Sequence, residues 1–273
     1  MTTRQPTVTL TLEQIAFFHA NGFLSLNTIT TPEEVAQMRA AYDRIFQQRA
    51  GRNEGNQFDL AGADEEGKEA ALPQILNPRK YAPELADTLY ETNARAIAEQ
   101  LLGPDVHFTG DHAIFKPARS GAPTPWHQDE AYWDPNANYD SLSFWMPLQE
   151  ATLENGCMQF IPGTQNQEIV PHQSIGGDTR VHGLEIVADM DTSEAVACPI
   201  PAGGVTIHGS RTMHYTGANR SDMPRRALIL GFGTPSTPRT DGRRFPWNEV
   251  KHTAREQRSQ AAQATSVKSM SED

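Results

Sequence analysis

Apolar residues at three- and four-residue spacing open the chain, and after Gly103 they give way to short runs punctuated by Pro, Gly and Asn. Thr11-Leu-Glu-Gln14 has the form of a capping box. Ile15 and Phe18 continue the spacing set by Leu12, and Asn21-Gly22 supplies a stop, so a short helix is expected over residues 12–20. A longer helix follows. Thr31 can cap it, Pro32 suits its first position and Glu34 closes a second box, while Val35, Met38, Tyr42, Ile45 and Phe46 form one stripe to about Gln48. Residues 83–102 read as helix, with a possible break, ending at Gly103.

The second half predicts strands at residues 106–115, 141–148, 157–161, 181–187, 204–208 and 227–232. Short, evenly punctuated runs of this kind make a β-sandwich or barrel, with the helices packed outside it. Asn155-Gly156 and Pro162-Gly163 are turn chemistry bracketing one such run. Residues 50–71 are rich in Gly, Asp and Glu and read as a long mobile loop, either a disordered insertion or a lid. The expected organisation is one domain over residues 1–250, helical to 103 with its barrel core at 104–240. A polar tail over 251–273, disordered at its end, completes the chain.

The formal net charge of −11 over 273 residues argues against nucleic acid or an anionic membrane as partner and favours a small molecule. Two cysteines, Cys157 and Cys198, suggest neither a disulfide framework nor a cysteine zinc site. The first residues lack the apolar core of a signal peptide, and no 18-residue apolar run occurs, so a soluble cytoplasmic protein is expected. Asn219-Arg-Ser221 fits a glycosylation sequon but reads as a turn in that setting. Oligomeric state has no signature in the sequence.

The chemistry concentrates in Pro125-Trp-His-Gln-Asp-Glu130. On an extended strand the His127 imidazole and the Asp129 carboxylate point to one side. A second histidine arriving from far along the chain would complete two nitrogens and one oxygen on one face of a metal, with the opposite positions open, which suits iron(II) and oxygen chemistry. Such a pair is a weak signal alone, but Trp126, Tyr132 and Trp133 enclose this one. Residues 204–219 offer His208 and His214, both plausible by local pattern, whereas His172 and His182 lie in a polar stretch and read as surface or supporting residues.

Three blocks in order, WHQD, ENGCMQFIPGTQ at residues 154–165 and HYTGANRSDMPRR at 214–226, are similar to the phytanoyl-CoA dioxygenase family of Fe(II)/2-oxoglutarate-dependent oxygenases. The likeness runs from the first helix and Asn21-Gly-Phe23 to about Pro235. It implies a double-stranded β-helix (jelly roll, cupin-like) flanked by helices. His127 and Asp129 would be the first two Fe(II) ligands, with 2-oxoglutarate as cosubstrate and dioxygen as oxidant. In the family the distal histidine precedes a cosubstrate arginine by about eleven residues, which selects His214 with Arg225 and leaves His208 a supporting role.

The strand pattern speaks for Arg225 independently. It shares its face with Ala227, Ile229, Gly231 and Gly233, which leave room for a ligand, while Arg226, Leu228, Leu230 and Phe232 take the other face. A guanidinium fork matches the remote carboxylate of 2-oxoglutarate. By resemblance, Thr216 assists that carboxylate and Gln128 and Trp145 line its pocket. Lys116, before a proline at a strand end, reads as solvated and stays outside the site.

The resemblance implies hydroxylation of an unactivated C–H bond with release of succinate and carbon dioxide. Related halogenases have Gly or Ala in place of the carboxylate, and here Asp129 is present. Desaturation, epimerisation and ring formation use the same ligands. The alternatives are a non-catalytic metal-dependent binding protein on this fold, or a cupin-type isomerase or zinc hydrolase, which would leave Arg225 without a role. Candidate substrate contacts are residues 50–71, Tyr132, Trp133, Tyr139 and residues 172–184. They hold no concentrated basic patch, which disfavours a polyanion such as an acyl-CoA and favours a small metabolite or natural-product intermediate.

Overall fold

The stop at Asn21-Gly22 is built as the sequence implies. Helix α1 (Leu12–Asn21) carries a reciprocal capping box between Thr11 and Gln14, and Gly22 closes it in the left-handed region at φ 81°. A side chain there would be strained by that φ and would also run into Gln165 and Thr212 Oγ1. In the computed structural model, which describes residues 4–119 and 122–270, the remaining helices are α2 (Pro32–Gln47), α3 (Leu89–Leu102), α4 (Pro246–Glu249) and α5 (Ala254–Met270). The strands are β1 (Phe23–Leu26), β2 (Gln57–Asp59), β3 (Pro73–Leu76), β4 (His107–Lys116), β5 (Thr124–His127), β6 (Ala137–Asn138), β7 (Ser141–Pro147), β8 (Met158–Phe160), β9 (His172–Ser174), β10 (Leu184–Ile186), β11 (Val196–Cys198), β12 (Val205–Gly209), β13 (His214–Thr216), β14 (Arg225–Gly233) and β15 (Thr237–Pro238).

Two antiparallel sheets carry the fold. The larger has strand order β1-β12-β7-β14-β4-β3-β2, and the smaller has β11-β8-β13-β5. Together with the structural neighbours described below, they make a mainly β jelly roll with helices outside. Alternation along the strands divides the core in two. Leu142, Phe144, Leu228, Leu230 and Phe232 pack against Met38, Tyr42, Ile45, Tyr90 and Ile97 of α2 and α3. The opposite positions Trp145, Ala227 and Ile229 meet Phe160 and Met158 of the smaller sheet. Each such apolar side chain contributes roughly 1.5–3 kcal/mol of burial. Tyr90 fixes the outer layer further, because its hydroxyl donates to Phe144 O at 2.7 Å.

Residues 83–102 do break as the pattern allows: a turn of 3-10 helix at Pro83–Leu85 precedes α3. Three other expectations need correction. Thr31 caps α2, but the Glu34 carboxylate does not return to close a box. It is buried and accepts instead from Leu89 N at 2.8 Å and Tyr90 N at 3.0 Å, donors at the start of α3 that have no partner within the helix, as well as from Thr30 and Arg4. The stretch 50–71 is not a featureless loop. It supplies β2, whose Phe58 joins Leu60 and Leu72 in a small core, and a three-residue strand is too short to show alternation in sequence.

The tail is likewise a helix. Thr253 and Glu256 form a capping box at its start, and the Arg255 backbone packs so closely on Gly55 that a Cβ there would meet Arg255 O at 2.3 Å. Residues 271–273, where disorder was expected, and residues 1–3 lie outside the described residues. Asn219 of the sequon is fully buried and donates to Lys116 O, Pro117 O and Met223 O, which fits the turn reading.

Burial pushes the Glu34 carboxyl up, but hydrogen bonds from Thr30, Leu89 N, Tyr90 N and Arg4 outweigh it and hold the group below its ordinary value of 4.5. A lowered folded pKa means stability that is present above the unfolded value and lost as pH falls through the folded one. Glu34→Gln should therefore cost about 2–4 kcal/mol in urea unfolding at neutral pH, and the gap to wild type should narrow on acidification through the carboxylate range. A difference independent of pH would assign Glu34 a packing role only.

Candidate metal centre

β5 and β13 are neighbours in the smaller sheet, and their register sets His127 opposite His214 with ring centroids 4.1 Å apart. The strand ends at His127, and Asp129 begins a short 3-10 turn, so the pair does not share one strand as the sequence suggested. Gln128 nevertheless keeps extended dihedrals (φ −121°, ψ 131°), and this is enough to return Asp129 to the side of His127. Asp129 Oδ1 lies 3.7 Å from His127 Nε2 and 3.4 Å from His214 Nε2. One ligand atom from each of the three residues falls within 4.8 Å of the others, the arrangement a single metal ion requires.

The backbone sets both imidazoles. His127 Nδ1 stands 2.8 Å from Pro125 O, and His214 Nδ1 2.8 Å from Thr212 O. A carbonyl can only accept, so Nδ1 carries the proton in each ring and Nε2 turns its lone pair toward Asp129. His208 is different. It projects from β12 of the larger sheet, its Nε2 is 3.3 Å from Asp129 Oδ2, and neither ring nitrogen has a hydrogen-bond partner. Ser143 Oγ donates to the same Oδ2 at 2.7 Å. The carboxylate thus presents Oδ1 to the two anchored histidines, while Oδ2 faces Ser143 and His208.

A further layer, of which the sequence suggested only His172 as a surface or supporting residue, holds the turn itself. His172 is buried, and with Nδ1 against Val170 O its Nε2 accepts from Gln128 N at 3.2 Å. Glu130 is fully buried and receives Arg211 Nε at 2.9 Å and Arg243 Nη1 at 2.8 Å. Burial, and then the neighbouring His214, push His127 down to about 3, which keeps it a neutral donor. Burial pushes Asp129 up, but the neighbouring His214 and His208 outweigh it and hold the carboxyl well below the usual carboxylate range.

The three residues open onto a cavity of about 590 Å³ between the sheets. Arg225 lines it from the first position of β14, 1% exposed, with its guanidinium carbon 5.2 Å from the Trp145 ring. Its Nε and Nη1 have no partner, nor does the buried Thr216 Oγ1 on the same wall. Burial pushes the Arg225 pKa down to about 10, still far above neutrality, so the cavity holds an uncompensated cation. Two unsatisfied guanidinium nitrogens with a hydroxyl beside them fit a carboxylate. Arg226 takes the other face and pairs with Asp43 of α2 at 2.6 Å.

Trp145, Tyr132 and Trp133 line the cavity, as the sequence suggested. Two candidates do not. The Gln128 side chain is fully buried and turns away, donating to Arg211 O and accepting from Val170 N. Tyr139 stacks edge-on against Trp133 at 4.9 Å, outside the lining. Lys116 needs the opposite correction. It is fully buried, and its Nζ donates to the carbonyls of Ala122, Thr216 and Gly217, clamping the turn after β13 to β4. Its position before a proline concealed this, because burial of a lysine stem is not written in local sequence. His112, His182, Lys251 and Arg255 also line the cavity.

The geometry distinguishes the two candidate distal histidines by experiment. His214→Ala should abolish stoichiometric Fe(II) binding under anaerobic conditions, whereas His208→Ala should weaken it by about 10- to 100-fold. Equal losses in the two variants would place both rings on the metal.

The sequence model of the phytanoyl-CoA dioxygenase (PhyH) family matches residues 18–227. A probable alpha-ketoglutarate-dependent hypophosphite dioxygenase of Stutzerimonas stutzeri is 27% identical over 226 residues, covering 81% of this chain and 77% of that protein. Among solved structures, EvdO2 from Micromonospora carbonacea var. aurantiaca, complexed with 2-oxoglutarate, superposes with a TM-score of 0.76 at 38% identity, covering 89% of this chain and 99% of that one. The epimerase SnoN, in complex with Fe3+, alpha ketoglutarate and nogalamycin RO, shares the fold at a TM-score of 0.66 and 20% identity, over 84% of this chain and 86% of its own.

Proposed function

Because the chain belongs to the phytanoyl-CoA dioxygenase family and is an Fe(II)- and 2-oxoglutarate-dependent dioxygenase, we propose that His127, Asp129 and His214 hold its iron and that Arg225, with Thr216, receives the remote carboxylate of 2-oxoglutarate. The observation that carries this assignment is the buried Arg225 guanidinium, two of whose nitrogens are unpartnered in the same cavity as the three metal-binding side chains. Bound Fe(II) supplies dioxygen activation coupled to oxidative decarboxylation of 2-oxoglutarate to succinate and carbon dioxide, with one oxygen atom available to the substrate.

The chain's own residues do the positioning. Anchored Nδ1 protons keep the His127 and His214 lone pairs on the metal side. Ser143 donates to Asp129 Oδ2, with His208 Nε2 3.3 Å from the same oxygen, so that Oδ1 stays forward. Trp145 walls the cosubstrate end beneath Arg225, and Tyr132 and Trp133 face the open part of the cavity, where they exclude water from the C–H bond to be oxidised. The intact Asp129 carboxylate supports hydroxylation, and the size of the cavity supports a small metabolite or natural-product intermediate. We take the domain to run through α5, since Lys251 and Arg255 belong to the cavity wall. No described helix is long and apolar enough to cross a membrane.

Arg225→Met should remove an interaction of about 2–5 kcal/mol, raising the KM for 2-oxoglutarate by at least about 30-fold in a succinate-release assay. Arg225→Lys should recover part of it, since a point charge replaces a fork. Fe(II) binding should be unchanged in both variants. A 2-oxoglutarate KM within threefold of wild type in the Met variant would remove Arg225 from the cosubstrate site.

A further inference from the structure

The segment after β15 is a strap anchored along the wall of the cavity. Trp247 Nε1 and Asn248 Nδ2 both donate to Ala131 O, in the turn that starts at Asp129. His252 N donates to Thr179 O, and the buried Thr253 caps α5, whose Arg258 reaches Gln57 O and pairs with Asp64. Between these anchors the strap presents Lys251 and Arg255 to the cavity.

These two cations differ from most of the arginines around them. Arg52, Arg79, Arg211, Arg226, Arg243 and Arg258 each pair with a carboxylate. Among the described residues, Lys251 and Arg255 have no carboxylate within 4.0 Å, and Arg255 Nε is buried without a partner. Both rest on aromatic faces instead: Lys251 Nζ is 4.9 Å from the Tyr132 ring and the Arg255 guanidinium carbon 5.2 Å from the Phe58 ring. His182 completes the group, 5.7 Å from Tyr132 and 4.9 Å from Phe58, with its buried Nδ1 unpartnered.

The carboxylates that line the cavity are otherwise engaged. Asp129 faces the metal-binding histidines, Asp111 pairs with Arg79 at 3.1 Å, and Glu256 Oε2 accepts from Thr253 N at 3.0 Å. Burial, offset in part by Glu256 and reinforced by Arg255, pushes Lys251 down to about 8. Burial and then the two cations push His182 down to about 3, which leaves it neutral. A protein of net charge −11 therefore concentrates two unpaired cations on the wall of its main cavity.

We infer that the substrate carries one anionic group, a carboxylate or a phosphate, which Lys251 and Arg255 receive at the cavity wall while its body passes Tyr132 toward the metal centre. The placement follows from Tyr132, whose ring is 6.1 Å from that of His127 on one side and carries Lys251 on the other. Leu60, Leu76, Ile114 and Trp133 line the space for an apolar or aromatic body. Arg225, on β14 beside Trp145, keeps a separate anion, so the cavity sorts two acids between two sets of cations. This inference rests on the cosubstrate reading above and adds the chemical class of the substrate.

The test is calorimetric titration of the anaerobic Fe(II) protein, saturated with 2-oxoglutarate, using benzoate, phenyl phosphate and benzamide. At least one of the two anions should bind ten or more times more tightly than the neutral amide, and the tighter of them identifies carboxylate or phosphate as the group received. Lys251→Met and Arg255→Met should each reduce that preference at least threefold, with 2-oxoglutarate affinity unchanged. Equal binding of all three probes, no binding of any, or a preference that survives in the double variant would overturn the inference. If both strap variants instead lose 2-oxoglutarate affinity, the strap serves the cosubstrate, and this inference and the Arg225 assignment fail together. If only Arg225→Met fails to affect 2-oxoglutarate, the Arg225 assignment fails alone.

Discussion

Everything at the centre depends on the pairing of β5 with β13. That register puts two histidines from distant parts of the chain side by side, and a slip of one residue would send His214 to the opposite face of the sheet. The pairing sets where the rings are, and the backbone sets what they offer. Each Nδ1 is held by the carbonyl two residues earlier, so no distant side chain is needed to choose the tautomer. Asp129 then joins the sheets, with one carboxylate oxygen toward the histidines of the smaller sheet and the other held by Ser143 of the larger. A metal ion at this point would add a further tie between two layers that already meet through apolar contacts and through the Ser143–Asp129 and Lys116–Thr216 hydrogen bonds.

The second constraint is electrostatic. A buried guanidinium with unpartnered nitrogens is expensive, as are two half-buried cations without counter-ions, and neither helps the fold. Groups of that kind persist where function uses them, and here they line one cavity. The outer face of the same strand gives the contrast, since Arg226 is one residue from Arg225 and is fully paired with Asp43.

Much of this was legible in the sequence, for identifiable reasons. Two-residue alternation along residues 225–233 separated Arg225, Ala227 and Ile229 from Leu228, Leu230 and Phe232, and the structure sends these sets to the inter-sheet space and to the helices as that alternation implied. Caps and stops located α1 and α2 to within a residue or two and the end of α3 at Gly103, while α3 starts at Leu89, six residues after the expected Pro83 and beyond the break that was anticipated. The family resemblance, through its interval of about eleven residues between distal histidine and arginine, chose His214 over His208, a choice local pattern left open. The unread parts share a cause, which is that tertiary contact decides them. β2 is three residues long, and α5 has too polar a surface to show a stripe, so its capping box at Thr253 was the only local sign of it. Lys116, Glu130 and Gln128 are buried polar groups whose partners lie far along the chain.

Iron-edge anomalous diffraction from crystals grown anaerobically with Fe(II) and 2-oxoglutarate addresses the central claim most directly. The account predicts one anomalous peak within bonding distance of His127 Nε2, His214 Nε2 and Asp129 Oδ1, with the remote carboxylate of 2-oxoglutarate against Arg225. A peak that includes His208 in place of His214, or a cosubstrate carboxylate seated on Lys251 and Arg255, would contradict it.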